Sequence, residues 1–74
     1  MTIQKLKQIF ESDQEQKKNT YIVPKSGNTL KLVRDELCYV RYVDDKSFKF
    51  FRAMDGKVYH LNEDKLDQFK LVGR

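Results

Sequence analysis

The chain carries one histidine, His60, and one cysteine, Cys38. Nucleophilic catalysis needs a nucleophile beside a positioned base, and the sequence offers neither residue such a partner. His60 sits between Tyr59 and Leu61 in a strand-like run, where a lone histidine reads as a surface or packed residue. Cys38 reads as a small buried hydrophobe. No set of His and Cys has metal-ligand spacing. The pairs Asp35-Glu36, Asp44-Asp45 and Glu63-Asp64 are adjacent, whereas a calcium loop alternates its oxygen ligands. Three scattered glycines cannot form a phosphate loop. The reading is therefore a non-enzyme with no metal and no cofactor.

The remaining chemistry is that of recognition. Residues 17–57 hold ten basic and five acidic side chains, so the positive charge belongs to the strands. Lys31, Arg34, Arg41, Lys49, Arg52 and Lys57 interleave there with Tyr39, Tyr42, Phe48 and Phe51. Cations meet phosphates and rings stack on bases, so Arg34, Tyr39, Arg41, Lys49, Phe51 and Arg52 form a candidate nucleic-acid face. A second candidate is acidic: Glu11, Asp13 and Glu15 on the first helical segment, with Asp44 and Asp45 in a turn, can face lysines and arginines of a protein partner. Glu63, Asp64 and Asp67 can add to that set.

The elements that must position these groups follow from periodicity. Ile3, Leu6, Ile9 and Phe10 form one apolar stripe of a helix with Thr2 as N-cap. Glu11 to Asn19 has no apolar residue and reads as a polar helical extension or a connector. Tyr21-Ile22-Val23, broken by Pro24, suits an edge strand. Further strands are predicted over Thr29–Arg34, Leu37–Val43, Ser47–Met54 and Lys57–Leu61, with Asp55-Gly56 as the clearest hairpin turn. On strict alternation, Leu37, Tyr39, Arg41 and Val43 share one face and Cys38, Val40 and Tyr42 the other. Asn62 and the carboxylates after it start a short helical turn, Leu66 and Phe69 can face the sheet, and Leu71-Val72 ends the chain as a strand.

The predicted fold is α+β and mostly β: an N-terminal helix plus a small antiparallel sheet or SH3-like barrel of about five strands. Residues 1–19 form helix and polar connector, and residues 20–74 form the β-rich part of one domain. Seventy-four residues, 39% hydrophobic with a net charge of +4, make a small basic globular chain. No apolar run is long enough for a membrane span, no signal-peptide h-region is present, and a single cysteine fits a reducing cytoplasm. Phe48 and Phe50 alternate onto one face and Phe51 onto the other, so both faces of the central strands carry rings. One face can be the core; the other needs a cover, and a second copy of the chain, a homodimer, is the expected one.

Three resemblances sharpen the target. Tyr21-Ile22-Val23, Asp35-Glu36-Leu37-Cys38-Tyr39-Val40, Asp55-Gly56-Lys57-Val58-Tyr59 and Leu66 are similar to the first half of a LytTR-type DNA-binding domain, which implies nucleic-acid binding. The family's later strands and its Phe-x-Arg-x-His-Arg stretch have no counterpart here. Gln68-Phe69-Lys70-Leu71-Val72 is similar to the peptide by which proteins dock on the bacterial replication sliding clamp. There Gln68 would anchor and Phe69, Leu71 and Val72 would fill an apolar pocket. Finally, a one-domain, highly charged chain without catalytic motifs resembles the small host-takeover proteins of bacteriophages. That class includes clamp inhibitors, and the resemblance implies binding and inhibition in the host cytoplasm, either at the docking pocket or in the positively lined DNA channel.

Overall fold

The computed structural model describes residues 1–73; Arg74, the last residue of the expected β-rich segment, lies outside them. Helix α1 (Ile3–Glu15) is followed by strands β1 (Tyr21–Pro24), β2 (Cys38–Val43), β3 (Ser47–Arg52) and β4 (Val58–Asn62), a 3-10 helix (Glu63–Gln68) and strand β5 (Phe69–Leu71). Every strand pairing is antiparallel and the sheet order is β4-β3-β2-β1-β5. The fold is thus α+β and mostly strand, as the periodicity predicts. The last strand returns beside the first, and the 3-10 helix packs against both β4 and β5. No backbone pairing joins β4 to β5 among the described residues, so hydrogen bonds do not close a barrel.

Helix α1 starts where expected: the Lys5 amide donates to Thr2 Oγ1 at 3.2 Å. It runs unbroken through the polar stretch as far as Glu15, so only residues 16–20 connect it to β1. The reason is a buried polar contact that apolar periodicity cannot register. Asp13 is 1% exposed, and Thr20 Oγ1 donates to its Oδ2 at 2.7 Å. Burying a carboxylate is tolerated only when donors compensate it, so this bond fixes the helix end to the start of β1. Lys17 then takes a left-handed φ of 58°, and the Lys18 amide donates to the Asp13 carbonyl at 2.8 Å.

Three strand expectations are corrected. Strand β1 is not an edge strand, because β2 and β5 pair with it on its two sides, Pro24 standing opposite Phe69 at its end. Thr29–Arg34 is a loop, because Asn28 supplies the pairing a neighbouring strand would give. Its side-chain amide donates to the carbonyls of Lys25 and Leu32, and its Oδ1 accepts from the Leu32 amide at 2.9 Å. Lys31 and Asp35 adopt φ values of 59° and 63°, which no strand accommodates. Leu32 still enters the core, and Leu30 packs against it. In β2, strict alternation fails at a bulge. Val40 pairs with Phe50 and Tyr42 with Lys49, leaving Arg41 as the extra residue. Beyond it Tyr42 faces solvent and Val43 joins Cys38 and Val40 in the core, the reverse of the predicted assignment.

The core lies on one side of the sheet. Phe48, Phe50 and Phe69 meet there at 5.2–5.9 Å between ring centroids. Ile3 and Leu6 of α1 and Leu66 of the 3-10 helix cover them. The helix therefore caps the core face and leaves the opposite face of β2 and β3 without a covering element. The Asp13–Thr20 pair sets one stability prediction. Thr20→Val keeps shape but removes a donor from a buried carboxylate. Urea unfolding is expected to show a loss of about 1–3 kcal/mol.

Candidate functional site

The uncovered face is built by the side chains that alternate away from Phe48 and Phe50. Tyr39 of β2 stands beside Tyr21 of β1 and Phe51 of β3, each neighbouring ring pair edge-on at 4.9 Å between centroids. The Arg41 guanidinium lies over the Phe51 ring, 5.6 Å from its centroid, a cation–π placement. The bulge adds Tyr42, 53% exposed, to the same side. Lys49 of β3 is next to Tyr42 in register. Arg41, Tyr42, Lys49, Phe51, Gly56 and Val58 line a groove of about 750 Å³. A polar hollow of about 270 Å³ shares Arg41 and Phe51 with it and reaches Gln14 and Asn19 at the end of α1. Among the described residues no carboxylate lines either.

Of the six basic and aromatic residues singled out from sequence, Tyr39, Arg41, Lys49 and Phe51 come together here. Arg52 and Arg34 do not. Arg52 points to the core side of β3, where it pairs with Asp55 and lies 3.7 Å from Glu36. It also stands over the Tyr59 ring, which stacks on Phe50. Arg34 pairs with Asp35 in the long loop. Sequence reasoning missed Tyr21 and Val58 as members of the face, because only the sheet order places β1 and β4 on either side of Tyr39 and Phe51.

The acidic candidates divide in the same way. Asp13 is buried and withdrawn from any surface role. Glu11 and Glu15 are exposed on α1. Asp45, in the β2–β3 turn, binds Lys7 of the helix at 2.9 Å, and the Glu63 amide donates to the Lys46 carbonyl at 2.8 Å. These links bring Asp44, Asp45, Glu63 and the exposed Asp64 to one end of the molecule, with Lys7 and Lys46 among them. Asp44 itself is occupied: its Oδ1 accepts from the amides of Lys46 and Ser47 at 2.9 and 2.7 Å. Those bonds hold its carboxyl below the usual carboxylate range.

The expected docking peptide is structural. Phe69 is 1% exposed in the ring cluster and Leu71 packs against the core. Gln68 Oε1 accepts from the Thr29 amide and hydroxyl at 2.6 and 3.1 Å, fastening the long loop. Val72 is the one exposed member of the four. A buried phenylalanine cannot enter a partner's pocket without opening the core, so this stretch is not a free peptide.

One constellation was not legible from spacing. Ser47 Oγ lies 3.0 Å from both carboxylate oxygens of Asp44 and 3.0 Å from His60 Nε2. The residue types are those of a hydrolase triad, but the order differs. A triad places histidine between the acid and the hydroxyl; here the hydroxyl sits between acid and imidazole and completes a turn. Cys38 is fully buried and burial pushes its thiol up to about 11, so the nucleophilic thiolate is suppressed. Among the described residues no group of three or more His, Cys, Asp or Glu can hold a metal ion, and no helix is long and apolar enough to cross a membrane. Comparison with protein families, curated proteins and solved structures finds no match.

Two predictions follow from these environments. Folded protein at about pH 8 is expected to leave Cys38 unmodified by a disulfide thiol reagent, with full reaction only in denaturant. The second concerns acid. Hydrogen bonds from Arg52 and the Lys57 amide lower the Asp55 carboxyl as those to Asp44 lower its own. A carboxyl lowered by folding contributes stability above its ordinary value of 3.8, lost as pH falls through the folded value. Urea midpoints are therefore expected to fall between about pH 5 and pH 2, more gently in an Asp44→Asn, Asp55→Asn double variant.

Proposed function

We propose that this protein acts without catalysis, by binding a component of the bacterial DNA-replication machinery and blocking it, with the sliding clamp as its target. The likeness to phage host-takeover proteins supplies the target class. The observation that carries the mode of action is the gathering of Asp44, Asp45, Glu63 and Asp64 at one end of a rigid chain of net charge +4. A clamp channel holds DNA by presenting cations to phosphates. Carboxylates fixed on short turns and a helix start compete for those cations with little ordering cost. Glu11, one turn from Lys7 on the exposed side of α1, extends the same end. Burial of Phe69 favours the channel over the docking pocket as the place of binding.

The test is co-elution of the protein with purified bacterial clamp after nuclease treatment, together with displacement of DNA from the clamp. Comigration and displacement are expected. An Asp45→Lys, Glu63→Lys, Asp64→Lys variant is expected to lose at least tenfold in affinity while keeping its circular dichroism spectrum. Val72→Ala is expected to bind normally. Absence of comigration overturns the reading, and loss of binding in Val72→Ala alone returns the site to the docking pocket.

A further inference from the structure

We infer that the uncovered face of β2 and β3 is a binding site for single-stranded nucleic acid, separate from the acidic end. Three observations carry it. The first is the ring row. Tyr21, Tyr39 and Phe51 cross three adjacent strands as a row of half-buried rings, each neighbouring pair edge-on at 4.9 Å between centroids. Every base has a π-face, so such a row stacks bases with little regard to sequence.

The second is charge. Arg41 and Lys49 flank the rings, and no carboxylate lines the groove or the hollow beside it among the described residues. Arg52 and Arg34 are held by Asp55, Glu36 and Asp35, whereas Arg41 lies against the Phe51 ring in no ion pair among the described residues. A guanidinium lying over a ring can meet a phosphate while its plane stays part of the stack.

The third is shape. The groove of about 750 Å³ and the hollow of about 270 Å³ share Arg41 and Phe51, so they make one track across the face. That track takes an unstacked strand whose bases lie flat on the rings; a duplex keeps its bases stacked on one another and offers the rings only backbone.

The same charges weigh against a second copy as the occupant. A twofold interface through this face brings Arg41 and Lys49 of both copies together with no carboxylate lining the groove or the hollow to offset them. Phosphate brings the opposite charge.

The test is fluorescence anisotropy of labelled oligo-dT and oligo-U, each about 12 nucleotides long, with duplex DNA as competitor. Binding of either strand, poorly competed by duplex, is expected, and the ratio of the two affinities identifies DNA or RNA as the preferred source. Tyr39→Ala and Arg41→Gln are each expected to weaken binding about tenfold or more, with Arg34→Gln as the unaffected control. Arg41→Gln guards against a folding defect, since Arg41 is an exposed bulge residue. Arg41→Gln with Lys49→Gln is expected to reduce the slope of log affinity against log salt by about 1.4, at about 0.7 per phosphate contact on a single strand. The inference is overturned if neither strand binds, if duplex competes as well as single strand, or if Arg34→Gln matches Arg41→Gln. It is equally overturned by a dimer that Tyr39→Ala dissociates in the absence of nucleic-acid binding.

Discussion

A strand can send successive side chains only to opposite sides, and β3 carries Phe48, Phe50 and Phe51 under that constraint. Once Phe48 and Phe50 enter the core with Phe69, Phe51 must leave it. The rest of the molecule is arranged around this division. Helix α1, the long loop and the 3-10 helix each give apolar side chains to the Phe48–Phe50 side. Nothing remains in so short a chain to cover the other side. The outward rings therefore settle against one another and against Arg41, half-buried by mutual contact rather than by a second layer.

The polar fastenings serve the same division. Asp13 and Thr20 fix the helix end, Asn28 and Gln68 hold the long loop over the core, and Asp44 closes the β2–β3 turn. Each uses a side chain that would otherwise count as surface charge or surface amide. The remaining charge is divided in space, with exposed Glu63 and Asp64 at the 3-10 helix start beside the held Asp44 and Asp45, and unpaired cations beside the outer rings. A modest net charge of +4 thus conceals two surfaces of opposite character, each suited to a different class of ligand.

Much of the architecture was legible in the sequence because it rests on short-range patterns. The Ile3–Leu6 stripe predicts where α1 begins, and the Asp55-Gly56 turn and the Phe48/Phe50 alternation predict their elements within a residue or two. What was not legible depends on partners distant in sequence. The bulge at Arg41 is set by pairing with β3, the loop at 29–34 by the side chain of Asn28, and the burial of Asp13 by Thr20. The candidate site followed suit: Tyr39, Arg41, Lys49 and Phe51 share a face because strand alternation places them there. Arg52 was misplaced because alternation sends it to the core side of β3, where Asp55 and Glu36 hold it, Arg34 because its segment is a loop in which it pairs with Asp35, and Phe69 because a docking motif and a core-closing strand have the same residue types.

The division of the sheet requires that solvent reach the outer rings and not the inner ones. Paramagnetic relaxation of ring-proton NMR signals by a soluble, neutral gadolinium chelate measures this directly. The structure predicts strong broadening for Tyr39, Tyr42 and Phe51 and little for Phe48, Phe50 and Phe69. Equal protection of both sets in the free protein would contradict it, since the outer rings would then already be covered.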